Sequence, residues 1–372
     1  MRLSKPILAT AVAMATVAAT AVGMMATATT AAAATLPTHL FSPYFEAFLG
    51  DSPATISSQS GSKFLTMAFL QTASTGSCTV DWNGDTSMPV ASSTFGSDMA
   101  TIRANGGDVI PSFGGFTADD TATEIADSCT NVASIAQQYE NVITTYNVTR
   151  LDLDTEDNSL TNTAGIDRRN KAIKMVEDWA AANGRTVQFS YTLPTATSGL
   201  VDTGMNVLRN AITNNARIDI VNIMTFDYFD NQPHEMATDT MNAANGLVSE
   251  LQGLFPSKTN AQLWAMVGIT EMPGIDDFGA AETFTTADAT TVENWAVSKG
   301  ISSLSFWAAQ RDNGGCVGTA GSNTCSGIAQ NQWQFAHTFQ PFTSGTGQPP
   351  PPTNDFSIST SPSSASVAAG SS

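Results

Sequence analysis

Arg150-Leu-Asp-Leu-Asp-Thr-Glu156 alternates acidic residues with Leu and Thr, and this alternation reads as a β-strand. Successive strand residues face opposite sides. Leu151, Leu153 and Thr155 therefore face one way, towards a packed layer. Asp152, Asp154 and Glu156 face the other way, with α-carbons about 6.6 Å apart stepwise from the strand rise. Read alone, the pattern also fits a solvent-exposed acidic strand. If the acidic side is enclosed, three like charges cannot all ionise cheaply. A proton is then shared and one pKa rises. A glutamic acid raised in this way beside ionised aspartate is what general acid chemistry needs.

Outward from this strand, short apolar runs alternate with helical patterns between residues 35 and 342. Strands are expected at 41–48, 64–70, 108–113, 149–156, 187–193, 218–226, 263–269 and 302–308. A helix over 123–139 is predicted to place Ile125, Cys129, Val132, Ala136 and Tyr139 on one face. A second brings together Ala172, Ile173, Val176, Trp179 and Ala180, and Gly184 supplies its C-cap. Trp179 and Trp295 fall in helical patterns and are read as core. Strand-then-helix alternation means parallel βαβ units, and eight of them fit an α/β fold of the (β/α)8 TIM-barrel type. A doubly wound open sheet is the alternative. No G-x-G-x-x-G follows the first strand, which counts against a dinucleotide fold. In a barrel, Glu156 falls at the C-terminal end of its strand, where such folds keep their chemistry.

The chain has 372 residues, 42% of them hydrophobic, and 15 basic against 33 acidic residues give a formal net charge of −18. Such a surface repels phosphate backbones and anionic membranes, so nucleic acid is not an expected partner. Arg2 and Lys5 precede an apolar run from Ile7 to about Met25, with small residues up to Ala34. This reads as a signal peptide over 1–34, hence a secreted, extracellular protein with no membrane attachment after cleavage. A membrane anchor is the alternative. The catalytic unit is expected over 35–343. Residues 344–354 read as a Pro-rich linker, stiffest at Pro349 to Pro352. Residues 355–372 read as the start of an incomplete β-type accessory domain. A monomer is expected.

Export permits disulfides. Cys316 and Cys325 flank a polar loop and are expected to pair locally, which leaves Cys78 with Cys129. No Cys-x-x-Cys occurs, and His39, His234 and His337 are isolated, so neither a metal site nor a cofactor is expected. Asn147-Val-Thr149 is a sequon, read as a turn before the strand. Ser112 lacks a G-x-S-x-G context and is not a nucleophile candidate. Gly114 and Gly115 are expected to turn the backbone closely at the barrel mouth.

Asp152-x-Asp154-x-Glu156 resembles the Asp-x-Asp-x-Glu signature of glycoside hydrolase family 18. Further segments resemble that family in the same order: Val109-Ile-Pro-Ser-Phe-Gly-Gly115, Thr192-Leu-Pro194, Val221-Asn-Ile-Met-Thr-Phe-Asp-Tyr228 and Leu304-Ser-Phe-Trp-Ala-Ala-Gln-Arg-Asp312. The resemblance covers roughly Leu40 to Phe342 and is to the bacterial chitinases of the family. Leu160 to Lys174, with Asp167-Arg168-Arg169-Asn170, fits the same group.

The resemblance implies substrate-assisted retaining catalysis, an exception to the two-carboxylate scheme of most glycosidases. Glu156 would protonate the leaving oxygen and later activate water. Asp154 would hold the substrate acetamido group, and Asp152 would share a proton with Asp154. Trp307 would be the floor beneath the sugar, since an indole matches the apolar face of a pyranose. Met224, Asp227 and Tyr228 would surround the acetamido group, and Tyr44 and Trp82 would line the cleft. The sequence departs from the family at two places. Phe226 stands where the commoner pattern has tyrosine, and the expectation is that Tyr228 supplies the missing hydroxyl. Thr149 and Arg150 stand where the longer signature has Asp-Gly.

The expected substrate is chitin or chito-oligosaccharides, cut at β-1,4 N-acetylglucosamine linkages. A family relative cutting the chitobiose core of N-glycans is one alternative. A non-catalytic, lectin-like chitin-binding barrel is the other, and the presence of Glu156 speaks against it.

Overall fold

The computed structural model describes residues 36–230 and 232–345. The leader, the run Pro349 to Pro352 and the segment 355–372 lie outside them. Among the described residues a parallel sheet curls into a barrel. The first barrel strand is interrupted, as Leu40–Phe41 and Tyr44–Glu46. The others are Phe64–Thr72, Asp108–Gly114, Arg150–Asp154, Gln188–Ala196, Ile220–Met224, Val267–Glu271 and Ser303–Phe306. Each pairs with the next in sequence order. The first strand closes the circle with its two halves. Leu40–Phe41 lies parallel to the eighth strand, and Tyr44–Glu46 lies parallel to the second.

Helices follow every strand, among them Pro53–Ser60, Gly96–Ala104, Val132–Tyr146, Thr163–Ala182, Asp202–Thr213, Met236–Leu254, Thr286–Lys299 and Gln334–Phe339. The apolar core lies between these helices and the outer faces of the strands. Leu151 and Leu153 belong to it, together with Ile135, Tyr139, Ile173 and Val176. The barrel lumen, in contrast, is polar. Thr66, Ser112, Asp152, Ser190, Thr192, Asn222, Thr270 and Ser305 are all buried there or beside it. Arg150 is also buried, and its guanidinium donates to Gln188 Oε1 at 2.8 Å.

Three expected elements differ. The helix over 123–139 is two helices, Ile125–Ser128 and Val132–Tyr146. Glu124 caps the first by accepting from the N–H groups of Ala126 and Asp127, and Asn131 caps the second by accepting from Ser134 N–H. Both helices send their apolar faces to the core, which is why one periodicity spanned the break. The seventh strand begins at Val267, because residues 260–264 form a short helix. Thr259 and Gln262 close a reciprocal capping box at its start. Trp179 and Trp295 are half-buried against the core rather than inside it.

Both disulfides pair as expected, Cys78 with Cys129 and Cys316 with Cys325. Asn147 of the sequon ends the helix Val132–Tyr146 in a left-handed conformation, and its Oδ1 accepts from Arg185 Nη2. No helix among the described residues is long and apolar enough to cross a membrane.

Candidate active site

The fourth strand carries its carboxylates up the lumen to the barrel mouth. Asp152 lies beside Ser112 of the third strand and Ser190 of the fifth, and Asp154 beside Gly114 and Thr192. The regular strand ends at Asp154, but Thr155 N–H still donates to Thr192 O at 3.0 Å. Glu156, with extended backbone, therefore stays on the inward side.

Asp152 accepts three hydroxyls. Ser112 Oγ and Tyr44 Oη donate to Oδ2 at 2.6 and 2.9 Å, and Thr192 Oγ1 donates to Oδ1 at 2.7 Å. Burial raises its pKa, and these hydroxyls oppose the rise. Asp154 has no such support: its Oδ1 is buried without a hydrogen-bond partner. Burial pushes Asp154 well above the usual carboxylate range, and the charges of Glu156, Asp152 and Asp119 add to it. Glu156 is pushed up to about 7 by burial, with Asp157 and Asp277 adding and the Phe116 N–H opposing. The site thus holds one carboxylate stabilised by hydroxyls and two neighbours biased towards the acid form.

A cleft of about 810 Å³ opens above them, with Asp154, Glu156, Met224, Asp227, Tyr44 and Trp307 in its walls. That size falls among small-ligand sites, roughly 300–1,000 Å³. Trp307 stacks on Phe69 with centroids 5.5 Å apart and planes 12° apart, and packs against Tyr44 at 5.7 Å. Gly114 and Gly115 both have positive φ. A β-carbon at Gly114 would lie 2.0 Å from Asp154 O, and one at Gly115 would lie 2.5 Å from the Phe69 ring. These glycines let the third strand press against both the fourth strand and the Phe69 ring.

Two expected cleft residues are elsewhere. Trp82 is fully buried in the strand Val80–Trp82, which runs antiparallel to the second barrel strand. Its indole N–H donates to Tyr146 Oη at 2.9 Å, and Phe95 meets it edge-on. It is a core residue. Tyr228 does not continue the alternation of Met224 and Phe226, because Asp227 and Phe229 both take positive φ and turn the chain. Its ring packs on His234, with centroids 4.9 Å apart, and its buried hydroxyl lies near Glu271, Asp239 and Thr240. It cannot replace the hydroxyl missing at Phe226, which itself lines the cleft.

Asp227 is at the cleft, held by the turn. Its Oδ1 accepts from the N–H groups of Asp277 and Phe278, while its own N–H donates to Asp276 Oδ2. Burial and the neighbouring Asp277 push it up to about 7. Asp227, Asp276 and Glu282 bring carboxylate oxygens within 4.8 Å of one another. Those oxygens already accept main-chain N–H groups from Asp227, Tyr228, Phe229, Asp277, Phe278 and Gly279. The cluster is a loop clamp. His234 is held between Asp230 and Asp239 at 2.9 and 2.8 Å.

The sequence did not reveal Asp119, Asp277, Phe48, Phe69, Phe116 or Phe229. Phe69 sits inside an apolar run indistinguishable from core. The other residues lie in short helical turns and loops that follow strands, where only contacts made in the fold give them meaning.

The site is a cluster of buried carboxylates at the mouth of the fourth strand of a parallel barrel. The family model of the glycosyl hydrolases family 18 matches residues 42–275, and the chain belongs to that family. It is 31% identical over 320 residues to a probable bifunctional chitinase/lysozyme of Escherichia coli, covering 82% of this chain and 35% of that protein. It is 30% identical over 286 residues to endochitinase 11 of Metarhizium anisopliae, covering 74% and 53%. The chain thus spans about a third to a half of the length of these relatives. The catalytic domain of the hyperthermophilic chitinase from Pyrococcus furiosus matches with 28% identity and a TM-score of 0.74, over 85% of this chain and 99% of that one. Catalytic-site mutants of that enzyme have been solved with chito-oligosaccharides.

Proposed function

We propose that the chain is a secreted chitinase that hydrolyses β-1,4 linkages between N-acetylglucosamine units with retention. The observation that carries this reading is the pairing of Asp154, with its unpartnered buried oxygen, and Glu156, held near neutrality, in the wall of one cleft. Glu156 as the acid protonates the glycosidic oxygen. The substrate's own acetamido oxygen attacks the anomeric carbon, and the bond to the leaving sugar breaks. Asp154 accepts the acetamido N–H and stabilises the cyclic cation that results. Glu156, now a carboxylate, takes a proton from the water that opens this ring. Asp152, fixed by three hydroxyls, is the neighbour with which Asp154 shares a proton. Trp307 is the floor beneath the sugar.

A polymer substrate is supported by rings that would otherwise be hidden. Phe116 and Phe229 are 61% and 59% exposed, and with Phe48 they line the cleft. Exposed apolar rings beside an acid are platforms for the apolar faces of successive sugars. Two disulfides support an oxidising compartment, in keeping with export.

Product analysis tests the reading on two substrates, chito-oligosaccharides and a high-mannose glycopeptide. The wild type is expected to cut the oligosaccharides, and Glu156→Gln should lower kcat about 10²- to 10⁴-fold, the usual share of a general acid–base. Activity on the wild type should fall as pH rises through about 7, where Glu156 loses the proton it must donate. Cleavage of the glycopeptide alone would favour an N-glycan enzyme, and equal activity of the two proteins would remove Glu156 from the mechanism.

A further inference from the structure

Asp119 lies in the short helix Phe116–Asp120 that follows the third strand, and its carboxylate is fully buried. Its Oδ2 accepts the main-chain N–H of Glu156. Its Oδ1 has no hydrogen-bond partner and lies 3.6 Å from where a β-carbon at Gly114 would stand. The Phe116 N–H of the same turn also faces the Glu156 carboxylate and opposes the rise of its pKa. Gly115 N–H donates to Asp154 O at 3.1 Å, and Asp119 N–H donates to Gly115 O at 3.1 Å. One short helical turn therefore anchors the backbone of Glu156.

Burial, with the charge of Glu124 adding, pushes Asp119 well above the usual carboxylate range. Glu124 and Arg169 face it, but Arg169 is taken by Glu124 in a buried pair at 2.7 Å. Among the described residues no cation forms an ion pair with Asp119. Asp154 and Glu156 are its other charged neighbours, and Asp157 and Asp277 also face Glu156.

We propose that Asp119 is the positioning residue for Glu156, fixing its main chain at the strand end by the hydrogen bond from the Glu156 N–H. This rests on reading Glu156 as the acid. A side chain aimed by one backbone bond loses its alignment with the scissile oxygen when that bond is lost, while sugar binding along the aromatic cleft persists. Loss of a merely structural buried aspartate would not separate kcat from KM.

The experiment compares kcat and KM on a chito-oligosaccharide for wild type, Asp119→Asn, Asp119→Ala and Glu156→Gln, with thermal unfolding as the check on folding. Asp119→Asn keeps an acceptor for the Glu156 N–H, so its kcat should stay within about threefold of wild type. Asp119→Ala should lose about 100-fold in kcat through misalignment, with KM changed less than about threefold, as befits an interaction made in the transition state. If Asp119→Ala does not fold, Asp119→Ser, whose shorter side chain withdraws the acceptor, takes its place. A kcat in Asp119→Asn as low as in folded Asp119→Ala, or wild-type kcat in folded Asp119→Ala, overturns the proposal and leaves Glu156 as the acid. Full activity of Glu156→Gln would instead overturn the reading on which it rests.

Discussion

Asp152 and Asp154 are two residues apart on one strand, yet their surroundings are opposite. Hydroxyls from Tyr44, Ser112 and Thr192, on three different strands, converge on Asp152, whereas Asp154 keeps an unpartnered buried oxygen. A buried acceptor without a donor is costly, by about 1–3 kcal/mol, and such groups mark sites that a ligand completes. The alternation in Arg150–Glu156 made the shared face legible from sequence. The difference between the two aspartates was not legible, because the donors come from residues 44, 112 and 192. Tyr228 is the opposite lesson. Period-2 alternation placed it with Met224 and Phe226, but the positive φ of Asp227 reverses its direction. Tyr228→Phe should accordingly leave kcat and KM within about twofold of wild type, since the hydroxyl lies outside the cleft. A large fall in kcat measured on chito-oligosaccharides would restore it to the site.

The strands were readable because parallel strands buried on both faces appear as apolar runs. Their ends were less so. The run 263–269 merged the end of a short helix with the start of the seventh strand; the Thr259–Gln262 capping box marks where that helix begins. Trp82 was misplaced for a related reason: a Trp before Asn-Gly looks like a loop residue unless its strand's partner is known. The break between Ile125–Ser128 and Val132–Tyr146 coincides with Cys129, whose bridge to Cys78 ties this corner to the segment after the second strand. The bridge spans 51 residues of sequence. Loop-closure entropy assigns such a span about 4 kcal/mol, against roughly 2.5 kcal/mol for one as short as Cys316–Cys325. Urea unfolding of Cys78→Ser/Cys129→Ser should therefore show the larger loss of stability than Cys316→Ser/Cys325→Ser.

Across the whole molecule, burial has produced a set of carboxylic acids that hold protons near neutrality. Glu46, Glu271 and Asp276 are each pushed up to about 8, and Glu156 and Asp227 to about 7, with burial the largest cause in every case. In an unfolded chain such groups titrate near 4, so between these values the folded state binds more protons. Their contribution to stability is complete below about pH 4 and is lost as pH rises through 7 to 8. The unfolding temperature is expected to be higher at pH 5.5 than at pH 8.5, and calorimetry showing the reverse would contradict this account. The formal charge of −18 at pH 7 acts in the same direction, since protonation relieves repulsion among carboxylates.

The interrupted first strand has a consequence for how the chain reaches this state. Its halves join partners at opposite ends of the sequence, and Ser305 Oγ reaches Ser42 O across 263 residues. Contacts so distant in sequence carry the slowest step of assembly. Until Ser303–Phe306 is made, Leu40–Phe41 and Val267–Glu271 remain open sheet edges, with unpaired N–H and C=O groups that invite another chain. A polypeptide stopped just short of its eighth strand would therefore be a template for aggregation, although it would already carry the whole Asp152–Glu156 ladder.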